Sequence, residues 1–282
     1  MRSSLRLLAC VLLAAPACRS QAVHSPESPV DMSALSQVSD AQWKALAGTR
    51  IFFGHQSVGW NILEGVQALL ARQPSIGLRI VQSSDPARVD GGALVHAFIG
   101  TNGQPETKLA AFDSVLAGGL GPGGGIAMYK YCFLDITAAT DVDALFQAYR
   151  DNMARLHQQH PDIRFVHLTA PLTVNGNPVR NLLKRALGKP TAADFNAHRN
   201  RYNALLRAEY AGKAPLFDLA AFESTHADGS REFFTRGSDT VYTLAPELTD
   251  DGAHLNANGR EAAAVRFLLF LANLARPASG TP

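Results

Sequence analysis

Short apolar runs alternate with segments of helical spacing along most of this chain, and that alternation restricts the fold more than any other feature. The runs 50–53, 78–82, 125–131, 164–169 and 215–219 have the length and composition of buried strands. Between them, apolar residues recur every three or four positions. After Ser57 they are Trp60, Leu63, Val66 and Leu70, and similar faces occupy 107–117, 141–159 and 192–211. A last helix is expected from about 258 to 275, carrying Ala262, Val265, Leu268, Leu269 and Leu271. Five strands alternating with helices predict an α/β three-layer sandwich with a five-stranded parallel sheet covered on both faces. Ligands of such sheets bind beyond the carboxyl ends of the strands. That rule marks Ser57 after the first strand, the 100–103 loop after the second and the 130–135 stretch after the third.

The 282 residues suffice for one sizeable α/β domain. With 26 Lys+Arg against 24 Asp+Glu there is no basic surplus, so no nucleic-acid partner is expected. The first 22 residues read as an export signal: Arg2 and Arg6 precede an apolar run over 7–15 that is too short to span a bilayer. Two cleavage readings stay open. Ala15-Pro16-Ala17-Cys18 resembles a lipobox, which would leave Cys18 as a lipidated membrane anchor. Ser20-Gln21-Ala22 suits an ordinary signal peptidase and a soluble product. Either places the protein outside the cytoplasm, in the periplasm, on a membrane or secreted. Residues 23–42 are read as a flexible tether, 43–276 as the folded domain and 277–282 as a disordered tail. Cys132 is the remaining cysteine of the body, so no internal disulfide is expected.

Two segments carry the chemistry. The strand-like Phe52-Phe53-Gly54-His55-Gln56 runs into Ser57, at a strand-to-helix junction where backbone N–H groups are unpaired. Far downstream, Asp250-Asp251-Gly252-Ala253-His254-Leu255-Asn256 precedes the last helix, with Asp251 three residues before His254. A serine hydroxyl needs a base within reach, and the base needs an orienting carboxylate. One short loop can hold Asp251 against the Nδ1 of His254 and leave Nε2 facing the serine. Asp250 is the neighbouring alternative for the acid. The long segment 224–250, rich in turn signals, is expected to wall one side of this site. His157, His160 and His167 are read as non-catalytic, and His96, His198 and His226 have no partner visible in the sequence.

The chain resembles the SGNH (GDSL-type) hydrolase superfamily over about residues 46–276. Asp251-Gly252-Ala253-His254-Leu255-Asn256, with Gly259 after it, is similar to the last block of that superfamily, and Ser57 follows the first strand as its nucleophile does. The resemblance implies a flavodoxin-like SGNH hydrolase fold and a Ser57–His254–Asp251 triad needing no cofactor and no metal. Two blocks depart from the pattern. The usual Gly-Asp-Ser is Gly54-His55-Gln56-Ser57 here, and the strand end Met128-Tyr129-Lys130-Tyr131-Cys132 lacks the Asn that donates to the oxyanion.

Candidate oxyanion or substrate-binding groups are therefore the Ser57 N–H, Gly100 by its backbone and Asn102 by its amide, although Gly100-Thr101-Asn102-Gly103 also reads as a plain turn. Lys130 is a candidate cation or a salt-bridged strand-end lysine. His55 is a substrate contact or a structural group of the turn. The expected activity is an exported serine esterase acting on short O-acyl esters of small molecules or glycans. The alternatives are O-acyl transfer to a glycan and an inactive carbohydrate-binding protein on the same scaffold.

Overall fold

The computed structural model describes residues 32–275. The export signal, Cys18, the first part of the tether and the tail lie outside the described residues. The strands are β1 (Arg50–His55), β2 (Ile80–Gln82), β3 (Ala93–Phe98), β4 (Gly125–Tyr129), β5 (Ile163–Leu168) and β6 (Leu216–Phe217), followed by β7 (Phe233–Arg236) and β8 (Asp239–Tyr242). The helices are α1 (Asp40–Gly48), α2 (Ser57–Arg72), α3 (Pro105–Leu116), α4 (Val142–Gln159), α5 (Pro178–Ala186), α6 (Ala192–Tyr210), α7 (Leu219–Glu223) and α8 (Ala257–Leu274).

The central sheet has six strands in the order β2-β3-β1-β4-β5-β6, all parallel. This corrects the expected five. Hydrophobic spacing assigns no strand to Ala93–Phe98, yet β3 lies beside β1 over its full length. The run at 78–82 yields a three-residue edge strand, β2, paired only to β3. Without that edge strand the order is the flavodoxin-like 2-1-3-4-5, whose switch point lies between β1 and β4. Loop 100–103 thus follows β3, one strand later than expected, but still at the carboxyl end of the sheet.

Period-two alternation divides the side chains of each strand between two cores. Ile51 and Phe53 of β1 and Ile126 and Met128 of β4 pack with α2 and α8. Phe52, Ala127 and Tyr129 face the opposite core, with α3, α4 and α6. Part of the expected tether belongs to the first core: Leu35 is buried there, and α1 starts at Asp40 behind a Ser39/Gln42 capping box. The folded body therefore starts by residue 32 rather than 43. The segment 224–250 is less irregular than its turn signals imply, because β7 and β8 form an antiparallel hairpin through Gly237 and Ser238.

Helices α2 and α8 approach closely at Gly65, where a Cβ would lie 2.2 Å from the Arg260 carbonyl oxygen and 2.9 Å from Ala264 Cβ. Gly65→Val should therefore force the two helices apart and cost about 1–3 kcal/mol or more. Urea unfolding against wild type measures that cost, and an unchanged midpoint would contradict the close packing.

Candidate active site

Ser57 is the first residue of α2. Its preceding residue Gln56 is extended and makes no side-chain cap, so the first-turn N–H groups are left without one. The Gln56 side chain instead donates to the carbonyls of Ile99 and Gly100, at 2.9 Å each. This fastens the loop after β3 beside the serine. Gly100 has φ +61, and a Cβ on it would lie 2.7 Å from the Lys108 nitrogen, so the loop requires glycine there.

Asp251 and His254 come from one tight turn. Asp251 Oδ1 accepts from the Ala253 and His254 N–H groups, both at 2.8 Å, and Oδ2 accepts from His254 Nδ1 at 2.7 Å. His254 Nε2 is then 3.0 Å from Ser57 Oγ, across 197 residues of sequence. The N–H of His254 does most to hold the Asp251 carboxyl well below the usual carboxylate range; burial opposes it, and the imidazole and the Ala253 N–H add to the lowering. Three contacts fix the turn from outside. The Leu255 N–H donates to Asn61 Oδ1 of α2 at 3.2 Å, the Val174 N–H donates to the Gly252 carbonyl at 2.9 Å, and Phe133 meets the imidazole edge-on at 5.4 Å. Asn256 caps α8 by accepting from the Gly259 N–H. The Asp250 side chain accepts from Asn256, whereas Asp251 is the acid paired to His254.

The four other candidate residues stand differently. Gly100 borders the serine through Gln56, and none of these contacts uses its N–H. Asn102 is exposed, and its Oδ1 accepts from Lys108 Nζ at 3.1 Å; no contact joins it to Ser57 or His254. Lys130 is 1% exposed and makes no ion pair within 4.0 Å among the described residues; its ammonium donates to the Tyr131 carbonyl at 3.4 Å. It is a buried group, so neither an exposed oxyanion cation nor a salt-bridged strand-end lysine describes it. Its desolvation lowers its pKa. His55 is fully buried and is not a substrate contact. Its Nε2 pairs with His96 Nδ1 at 3.0 Å, and its Nδ1 donates to the Gln56 carbonyl. Burial pushes His55 down to about 3, which leaves the pair neutral near pH 7.

Several supporting groups escaped the sequence analysis. Lys108 and Asp135 form a fully buried ion pair at 2.6 Å, and the Asp135 carboxylate also accepts from the Gly103 and Cys132 N–H groups. The pair joins α3 to the loop after β4, and the Gly103 bond adds the loop after β3. Its sequence signal is a lysine one turn before Phe112 on the apolar face of α3. Arg199 of α6 donates to the Phe133 carbonyl through Nε and a terminal nitrogen, steadying the ring beside His254. Glu223 is fully buried, accepts from the Leu172 N–H at 2.6 Å, and has one oxygen without a partner. Burial pushes its carboxyl up to about 8, while the Leu172 N–H, Lys130 and Arg199 act in the opposite sense. Asn61, one helical turn after Ser57, could have been singled out by its spacing alone.

Two expectations test this framework. Lys108→Met leaves the Asp135 carboxylate buried without its counter-charge and should cost about 3–5 kcal/mol in chemical denaturation. A carboxyl with a raised pKa destabilises the fold increasingly as pH climbs from its unfolded value of 4.5 to about 8, and by a constant amount above that. Glu223→Gln keeps an acceptor for Leu172 and cannot ionise. Its stability relative to wild type should rise across that interval in urea melts, and a flat difference would contradict the shift.

No protein-family model matches the sequence, and no curated protein matches it. Solved structures resemble it in fold. A proposed platelet activating factor from Streptococcus pneumonia has 16% identity and a TM-score of 0.48, covering 85% of this chain and 94% of that one. A GDSL-like lipase from Bacteroides thetaiotaomicron has 14% identity and a TM-score of 0.46, covering 84% and 100%. An acetyl xylan esterase has 18% identity and a TM-score of 0.45, covering 77% and 96%. The sheet order, with Ser57 after β1 and Asp251 and His254 just before α8, agrees with the flavodoxin-like α/β layout expected from the sequence.

Proposed function

We propose that this chain is a serine hydrolase of the SGNH type, exported from the cytoplasm and acting on short O-acyl esters. One observation carries the reading: the unbroken relay from Asp251 through His254 to Ser57, with contacts of 2.7 and 3.0 Å. Ser57 Oγ attacks the ester carbonyl while His254 Nε2 takes its proton. Asp251, paired to Nδ1, fixes the tautomer and stabilises the imidazolium. The tetrahedral oxyanion is held by the first-turn N–H groups of α2 and by the Gly100 N–H, aided by the positive end of the helix dipole. His254 then protonates the leaving alcohol, the acyl group remains on Ser57, and water activated by the same imidazole releases the acid. The intact relay weighs against an inactive carbohydrate-binding role. Transfer of the acyl group to a sugar hydroxyl would use the same three residues.

A p-nitrophenyl ester panel tests the proposal. Wild type should favour short acyl chains, and Ser57→Ala or His254→Ala should lower kcat by on the order of 10⁶-fold without unfolding the protein. Asp251→Asn should cost about 10²–10⁴-fold, since the amide cannot hold the imidazolium. A fluorophosphonate should label Ser57 alone. Equal turnover by wild type and Ser57→Ala would end the assignment.

A further inference from the structure

Helix α5 is inverted relative to an ordinary surface helix. Such a helix turns its apolar stripe to the core and its polar residues to water. α5 buries none of its residues. Its half-buried positions are polar, Asn181 and Lys184, and Asn181 Nδ2 donates to the Asn175 carbonyl at 2.7 Å. Its apolar positions face solvent: Val179 is 77% exposed, Leu182 69%, Leu183 61%, and Leu187, just past its end, 62%. At 100° per residue Val179, Leu182, Leu183 and Ala186 share one side, and Arg180, Asn181, Lys184 and Arg185 the other. The helix has a defined start, because Asn177 Oδ1 accepts from the Val179 and Arg180 N–H groups.

Charge narrows what can cover this face. Residues 177–190 contain Arg180, Lys184, Arg185 and Lys189 and no acidic residue, although the whole chain is nearly balanced. A second copy of α5 would bring cations against cations. An anionic lipid surface satisfies both halves of the helix, taking leucines below the headgroups and cations among the phosphates. Placement agrees. The remaining exposed large apolar side chains of the described residues are Phe98, Leu134 and Phe233. Phe98 ends β3, and Leu134 follows the Phe133 that meets His254. α5 itself lies shortly after the Val174–Gly252 bond at the site turn.

We propose that α5 seats the protein on an anionic phospholipid bilayer, with the Ser57 end of the sheet turned towards the lipid. This docking is independent of the chemistry assigned to Ser57.

Flotation of the full chain with vesicles tests it. Wild type should float with mixed phosphatidylcholine–phosphatidylglycerol vesicles and far less with phosphatidylcholine alone, and added salt should weaken the difference. Leu182→Ser/Leu183→Ser should reduce partitioning by roughly tenfold or more. Arg180→Glu/Arg185→Glu should remove the preference for the anionic vesicles, a loss of about tenfold. All these side chains are exposed, so unfolding curves should match wild type and report that both variants fold. Ser57→Ala should float like wild type, so a failed esterase assay leaves this result standing. Equal flotation of the leucine variant and wild type overturns the proposal, since binding would then come from another segment. A dimer in sedimentation equilibrium that the leucine variant abolishes also overturns it, because a second copy would then cover the face.

Discussion

The contact between α2 and α8 is the constraint on which the rest of the molecule depends. One helix starts with the serine and the other starts just after the histidine. Their separation is set where Gly65 meets the Arg260 carbonyl and Ala264. The hydrogen bond from the Leu255 N–H to Asn61 then fixes the rotation of one helix end against the other. A hydroxyl and an imidazole 197 residues apart arrive within 3.0 Å because two rigid rods are locked at a glycine. Neither group is held by a long mobile loop.

Electrostatics below the site follow a second logic. Charges taken out of water are either paired or pushed towards neutrality. Lys108 and Asp135 are paired and tie α3 to the loop after β4 at the carboxyl end of the sheet. Lys130 and Glu223 have no ion-pair contact among the described residues, and desolvation pushes both towards their neutral forms. The His55–His96 pair is neutral for the same reason. The Asp251 carboxylate remains at the surface, where backbone N–H groups keep it ionised.

The layered α/β class and the meeting of Ser57, His254 and Asp251 were legible in the sequence, because these depend on local periodicity and on one compact turn. Asp251 and His254 are legible because three-residue spacing lets a single Asx turn present both. Strand β3 was not legible: Ala93-Leu94-Val95-His96-Ala97-Phe98 carries a histidine that reads as polar until its partner His55 is known. The edge strand β2 was overweighted for the opposite reason, being apolar but only three residues long. Lys130 and His55 could not be placed from sequence, since whether a strand-end cation or imidazole meets water depends on what packs over it. The hairpin at 233–242 was hidden by its turn residues, and its attachment to α6 runs through the Asn200 side chain and the Tyr242 backbone.

The turn that carries both Asp251 and His254 has a thermal consequence. Acid and base share one short stretch held mainly by its own carboxylate, by Asn61 and by Val174, and both side chains are partly open to solvent. Opening of that stretch alone would silence the whole relay while the parallel sheet stayed intact. Catalytic competence can therefore melt as a small unit of its own, and the heat tolerance of the reaction would be set by a few backbone bonds rather than by the bulk of the hydrophobic interior.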